Sequence, residues 1–324
     1  MNSAKSWIRA AALTFSVITM QMLSAAEAPV AIDEVRQVGA NESFEIEVMR
    51  GDVVIRVGDD NSFRVSGTLD ELAEGYELRS NSGFTYFEVL MPRNINGSRA
   101  RRAEESDLEM VVPVGSRVSF IGVNVDIDIS GVAGGSEVNT VNGNITATGL
   151  SDRVDLRTVN GNIRSTDNSG RIDLQTVNGD IRDTGSEGRA YYEAVNGGLD
   201  ITSAAEEVEV TVVNGSVEAQ LRRTRELTLR SVNGDIEVML TEAISPVIIG
   251  STVSGEIILN LPGNIDAQFN LESHAGGNII NNITDDEVAR ARFGPARSLD
   301  FSTGQGTGIV EMSSVSGRLE LHAN

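Results

Sequence analysis

Cysteine is absent from all 324 residues, so the chain forms no disulfide and offers neither a thiol nucleophile nor a thiolate metal ligand. The same absence excludes a lipid-modified N-terminal cysteine. Lysine occurs once (Lys5), tryptophan once (Trp7), and aromatic residues make up only 4% of the chain. The two histidines, His274 and His322, are far apart in sequence, and no His/Glu spacing of a zinc site is present. Beyond residue 26 no apolar run is long enough to span a bilayer as a helix.

Residues 1–26 read as a secretory signal peptide. Lys5 and Arg9 supply a positive start, Ala10 to Leu23 a mostly apolar stretch, and Ser24-Ala25-Ala26 the small residues of a cleavage site. Cleavage leaves 24 arginines against 47 acidic residues, a net charge of −23. Nucleic acid and anionic lipid surfaces both repel such a chain. The expectation is export to the periplasm, the medium or the cell surface, with no membrane insertion after the leader is removed. The one basic cluster, Arg99-Ala100-Arg101-Arg102, is followed at once by Glu104 and Glu105 and reads as a solvated loop.

What the sequence does have is a repeat. Val-Asn-Gly recurs at Val141, Val159, Val177, Val195 and Val213 in steps of 18, and at Val232 after 19. Val-Ser-Gly follows at Val253 and again at Val315. Around Val159 the apolar residues are Val154, Leu156 and Ile163; the next repeat has Ile172, Leu174, Val177 and Ile181. Upstream, Val118, Phe120, Val123, Ile127 and Ile129 keep the spacing, as do Phe44, Ile46, Met49, Val53 and Ile55. Spacing by two is the strand period, and the step of three predicts a bend, with the triplet valine counted in the core. Asn-Gly marks that bend because both residues tolerate positive φ. Identity at an 18-residue period puts Val over Val and Asn over Asn, which favours parallel stacking over hairpins. The predicted fold is all-β: a single-stranded parallel β-solenoid (β-helix) with coils of about 18 residues, right-handed as parallel crossovers are. Irregular coils and a cap are expected over 27–117, regular repeats over 118–262, and irregular coils and a second cap over 263–324. The end segments are expected to cover open strand edges.

These residues give the chain a family resemblance. Arg50-Gly51-Asp52-Val53-Val54-Ile55, Met110-Val111-Val112-Pro113-Val114-Gly115, the Asn-Gly repeats and the C-terminal Gly306, Gly308, Ser314, Gly317 and Leu319 resemble the bacterial adhesin-like family of β-strand-repeat proteins. The resemblance runs from about Val38 to Leu321. It implies a β-solenoid and an adhesive role, and it brings no catalytic residues, since the domain is one of unknown function.

Polar columns are the remaining candidates. Asn142, Asn160, Asn178, Asn196, Asn214 and Asn233 are expected to form a structural ladder of side-chain amides. Asn144, Asn162, Asp180, Gly198, Ser216, Asp235 and Glu256 form a second, oxygen-rich column that Gly198 interrupts. Calcium favours such oxygens, but the Gly-Gly-x-Gly-x-Asp pattern of calcium-binding β-rolls is missing. Asp126/Asp128 and Asp152/Asp155 suggest a glycosidase pair only formally, among so many acids. Tyr191 is expected to face outward, and Arg157, Gln175, Glu193 and Thr211 to form a charged outer column; Tyr191, Arg157 and Glu193 are the ligand-binding candidates. Arg50-Gly51-Asp52 spells an integrin-binding tripeptide but falls where a turn is needed. The expectation is therefore a non-enzymatic binding or scaffold protein of the cell envelope, with no cofactor or metal and a cell-surface glycan or an envelope protein as partner. A periplasmic structural or envelope-stress factor and a polysaccharide-active β-helix enzyme are the alternatives.

Overall fold

The computed structural model describes residues 30–94, 97, 101–242 and 245–324. Residues 1–26, expected from the sequence to be a signal peptide, and Arg99 and Ala100 of the arginine cluster lie outside the described residues. Among the described residues the fold is all-β: 26 strands, β1 to β26 in chain order, join in one large sheet of mixed but mostly parallel pairing. Among the described residues no helix is long and apolar enough to cross a membrane.

The regular part consists of two parallel ladders. One contains β8 (Ser136–Asn142), β10 (Arg153–Asn160), β12 (Ser169–Asn178), the end of β13 (Ile181–Asn196), β15 (Glu207–Asn214), β17 (Glu226–Ser231) and β19 (Val247–Thr252). In it Leu156 lies opposite Val138 on one side and Leu174 on the other, 18 residues away in each direction. The second ladder runs through β9 (Ile145–Thr148), β11 (Ile163–Thr166), the start of β13, β14 (Leu199–Ser203), β16 (Val217–Leu221), β18 (Ile236–Leu240) and β20 (Glu256–Leu261), with Ile163 between Ile145 and Ile181. Like residues therefore stack on like, and the buried side chains of both ladders merge into one apolar cluster extending from Ile32 to Leu321.

Two details of the corner differ from the sequence expectation. The triplet valines are not in the core: Val141, Val159, Val177, Val232, Val253 and Val315 are 38–45% exposed. In β10 the buried alternation runs Val154, Leu156, Thr158, and the next two residues both turn outward. The threonine takes the inward place because its hydroxyl is satisfied there: Thr158 Oγ1 donates to the Gly143 carbonyl and Thr176 Oγ1 to that of Gly161, each at 3.0 Å. The corner glycines also serve a different need. None of Gly143, Gly161, Gly179 or Gly197 has positive φ. A Cβ on Gly161 would sit 2.0 Å from the Gly143 carbonyl oxygen, and one on Gly179 1.9 Å from that of Gly161. Glycine is required by the close approach of one repeat to the next.

The two ends share one device. β2 (Ser43–Gly58) pairs in parallel with β7 (Arg117–Ser130), Phe44 opposite Val118 and Ile55 opposite Ile129. The chain between them folds back over β2's other edge through β5 (Phe84–Leu90) and β6 (Ser106–Pro113). Antiparallel strands then finish the end: β3 (Ser62–Thr68) on β6, β1 (Ala31–Gln37) on β3 and β4 (Gly75–Asn81) on β5. At the other end β25 (Gly308–Ser314) and β26 (Arg318–Ala323) pair directly with β19 and β20. The intervening β21 (Ala267–Ser273) and β22 (Asn278–Asn282) lie on their far side, and β24 (Arg297–Ser302) runs antiparallel on β21. Phe269 and Phe301 stack across that last pairing, ring centroids 4.3 Å apart.

Candidate functional site

The most regular surface is the corner that follows the first ladder. Asn160 Nδ2 donates to Asn142 Oδ1, Asn178 to Asn160, Asn196 to Asn178, Asn214 to Asn196 and Asn233 to Asn214, at 2.7–3.1 Å. The run extends at both ends beyond the sequence reading. Asn142 donates to Asn124, and the Ser254 hydroxyl donates to Asn233 Oδ1. Asn124 was legible as an asparagine 18 residues before Asn142, but no glycine follows it. Each amide uses one N–H and one lone pair along the column and keeps the others for solvent or a ligand.

Beside this ladder the valines make a parallel apolar stripe: Val123, Val141, Val159, Val177, Val195, Val213, Val232, Val253 and Val315, one per repeat. At the spacing of paired strands it is roughly 40 Å long. Neither column carries a charge, on a protein whose net charge is −21 over the whole chain.

The adjacent outer strand face is charged, and its charges are locally occupied. Arg157 lies 2.7 Å from Asp155 and 3.4 Å from Asp173. Tyr191, half-buried, donates its hydroxyl to Glu193 Oε2 at 2.6 Å. Burial first, then that hydrogen bond, raises the Tyr191 hydroxyl well above the ordinary tyrosine value. Arg157 and Glu193 share one column two repeats apart, with Gln175 between them, so they flank a face and do not converge on one point. A shallow groove of about 290 Å³ beside Tyr191 is lined by Arg171, Asp173, Arg189, Glu207 and Glu209.

The oxygen-rich column is bonded to backbone. Asn144 N–H donates to Asp126 Oδ1, Asn162 to Asn144, Asp180 to Asn162, Gly198 to Asp180 and Glu256 to Asp235, at 2.7–3.0 Å. Among the described residues no three acidic or histidine side chains group as metal ligands. The acidic pairs are separated in role: Asp126 accepts from Asn144, Asp152 sits exposed in a turn at φ 72°, and Asp155 is fully buried beneath Arg153 and Arg157. His322 contacts Glu320, and His274 lies beside Glu272. The Arg50-Gly51-Asp52 tripeptide is not displayed. Arg50 is buried, donates to Glu105 at 2.7 Å and lies 3.5 Å from Asp70.

One buried polar group has no counterpart in the sequence reading. Asp183 points inward in the second ladder and accepts from Tyr192 at 2.7 Å and Ser186 at 2.6 Å. Burial pushes its carboxyl above the ordinary value of 3.8, against the hydroxyls of Ser165, Ser186 and Tyr192 that favour the charged form. The aromatic ring at 192, where the neighbouring repeats have Leu174 and Val210, supplies the inward hydroxyl.

No protein-family model matches the chain, and no curated protein matches it. Solved structures similar to it include a "putative cell adhesion protein" from Clostridium sporogenes ATCC 15579, 8% identical, covering 91% of this chain and 100% of that one at a TM-score of 0.22. A "putative adhesin" from Bacteroides fragilis NCTC 9343 is 11% identical and covers 90% of this chain and 97% of that one at a TM-score of 0.36. Similarity at this level carries no information about activity.

Proposed function

We propose that this is a non-enzymatic, exported, adhesin-like binding protein of the bacterial cell envelope, wound as a right-handed parallel β-solenoid that lies along a neutral glycan polymer. The observation that carries the reading is the uncharged Val–Asn stripe, repeated once per 18-residue step on a strongly acidic protein. Exposed apolar surface in a contiguous line marks a contact site rather than ordinary surface. Nucleic acid, anionic lipid and a second copy of the chain are all disfavoured by charge repulsion. A neutral polysaccharide is not, and it matches the stripe chemically: its hydroxyls pair with the free side of each amide and its C–H faces with the valines. The linear, equally spaced array suits an extended polymer better than a compact ligand.

The test is retention on immobilised neutral polysaccharides, comparing the wild-type protein with the Val159→Asp/Val177→Asp double variant. Both valines are exposed, so the variant keeps its fold and is expected to lose retention. A wild-type protein that binds no neutral polysaccharide overturns the reading. Antibody labelling of intact against permeabilised cells then assigns the protein to the surface or the periplasm.

A further inference from the structure

The oxygen-rich column contains one glycine that the fold does not need. At the corner position just before it, Gly197 is sterically obligatory, because a Cβ there would lie 1.9 Å from the Gly179 carbonyl oxygen. Gly198 is different. Its φ is not positive, and a Cβ would meet only Asp180 Oδ1 at 3.5 Å, the Ser216 carbonyl oxygen at 3.6 Å and Ser216 Oγ at 3.9 Å, which is ordinary contact. The equivalent positions in neighbouring repeats carry Asn162, Asp180, Ser216 and Asp235. Its N–H donates to Asp180 Oδ1 as any residue's would. The missing side chain leaves a hollow, and it lies in a groove of about 570 Å³, within the size range of small-ligand sites.

The far wall of that groove is the outward column of the second ladder, Arg164, Arg182, Asp200 and Glu218, one per repeat. Its charge changes sign beside Gly198: Arg182 pairs with Asp200 at 2.8 Å, with Arg164 on one side and Glu218 on the other. Arg164 and Glu218 make no ion pair or hydrogen bond among the described residues and are exposed. A hollow between free guanidinium donors and free carboxylate acceptors suits a ligand that both donates and accepts, with no net charge. We infer that the groove centred on Gly198 is a subsite for a short segment of a neutral glycan lying along this column, with Arg164 at one end and Glu218 at the other, three strand spacings or about 14 Å away. This deepens the glycan-binding reading above and rests on it.

The experiment is calorimetric titration with neutral oligosaccharides of several residues (β-1,4-glucan, β-1,3-glucan and chito-oligosaccharides), with polygalacturonate as the anionic comparison. Gly198→Asn restores the side chain that neighbouring repeats carry, so its melting temperature should equal or exceed wild type. Its affinity for the bound oligosaccharide should fall roughly tenfold or more, and Arg164→Ala should weaken binding in the same direction. Wild-type affinity in a folded Gly198→Asn protein overturns the subsite while leaving the Val–Asn stripe reading intact. Preference for polygalacturonate overturns the ligand class. A wild-type protein that binds none of the sugars overturns both.

Discussion

The middle of the molecule and its two ends are built from the same strands but are specified in different ways. In the middle each residue finds its partners 18 or so positions away on both sides, and side chains of the same character meet at most inward positions. At the ends the partners are distant: Phe44 meets Val118, and Ile248 meets Val310, across long excursions that fold back as antiparallel caps. Repetition suffices where every neighbour is a copy, but a terminal strand has no copy beyond it. It must be covered by chain of another pattern, or its open edge recruits other molecules.

The comparison breaks most visibly in the core. Leu174→Asp, fully buried between two repeats, is expected to cost at least about 4 kcal/mol and to unzip the middle in both directions. Leu271→Asp, in β21 of the C-terminal excursion, should remove amide-exchange protection from β21–β24 and leave the middle protected. Loss of protection throughout in both variants would show that ends and middle are one cooperative unit. Val177→Asp should lower the unfolding free energy from denaturant titration by less than about 1 kcal/mol, as an exposed substitution does.

Glycine gives the next contrast. Gly179→Ala places a methyl 1.9 Å from a backbone carbonyl of the adjoining repeat and is expected to cost about 2–4 kcal/mol. Gly83, in the N-terminal excursion, has open space around its Cβ position but a φ of 85°, so Gly83→Ala should cost about 1 kcal/mol from backbone conformation alone. Equal losses would mean that close approach between repeats is not what selects glycine in the middle.

Asp183 sharpens the comparison through pH. Its folded carboxyl holds a proton more tightly than an unfolded aspartate, so its contribution to stability is complete below about 3.8 and declines as pH rises through its elevated folded value. Asp183→Asn should flatten that decline in unfolding measured by denaturant across the acidic range. An unchanged slope would place the titration elsewhere. The smallest effect belongs to the ladder. Asn178→Ala removes one exposed rung and should cost about 0.5–1 kcal/mol by thermal melt.

The period, the strand positions and the amide column were legible because the sequence repeats them identically. The direction of the triplet valines was not. Apolar character marks Val159 for the core, and only the hydroxyl of Thr158 bonding to the Gly143 carbonyl explains why the threonine goes in and the valine out. The reason for glycine at the corner was hidden for a related cause: a sequence shows that two glycines align, but not that their backbones nearly touch. Tyr191, Arg157 and Glu193 could be placed on an outer face, whereas their pairing with Glu193, Asp155 and Tyr191 respectively depended on side-chain conformations toward neighbours two residues along the same strand. Gly198 was visible as a break in a column; that the break is sterically free depends on how far Asp180 and Ser216 stand from it in space. The caps were unreadable beyond their strand runs, because no local pattern says that β5 and β6 return to β2.

The place of β25 and β26 has a consequence for timing. They separate β19 and β20 from β21 and β22, yet they follow all four in the chain. A polypeptide emerging from its N-terminus can add each middle repeat as soon as it appears, but β21 to β24 emerge before the surface on which they rest. They must wait, exposed, until residues 308–324 slide in beneath them. Assembly of this end therefore runs against the order of synthesis, and a chain stalled before Gly308 would carry an undocked segment and two bare strand edges, a form that proteases and chaperones can tell from the finished molecule.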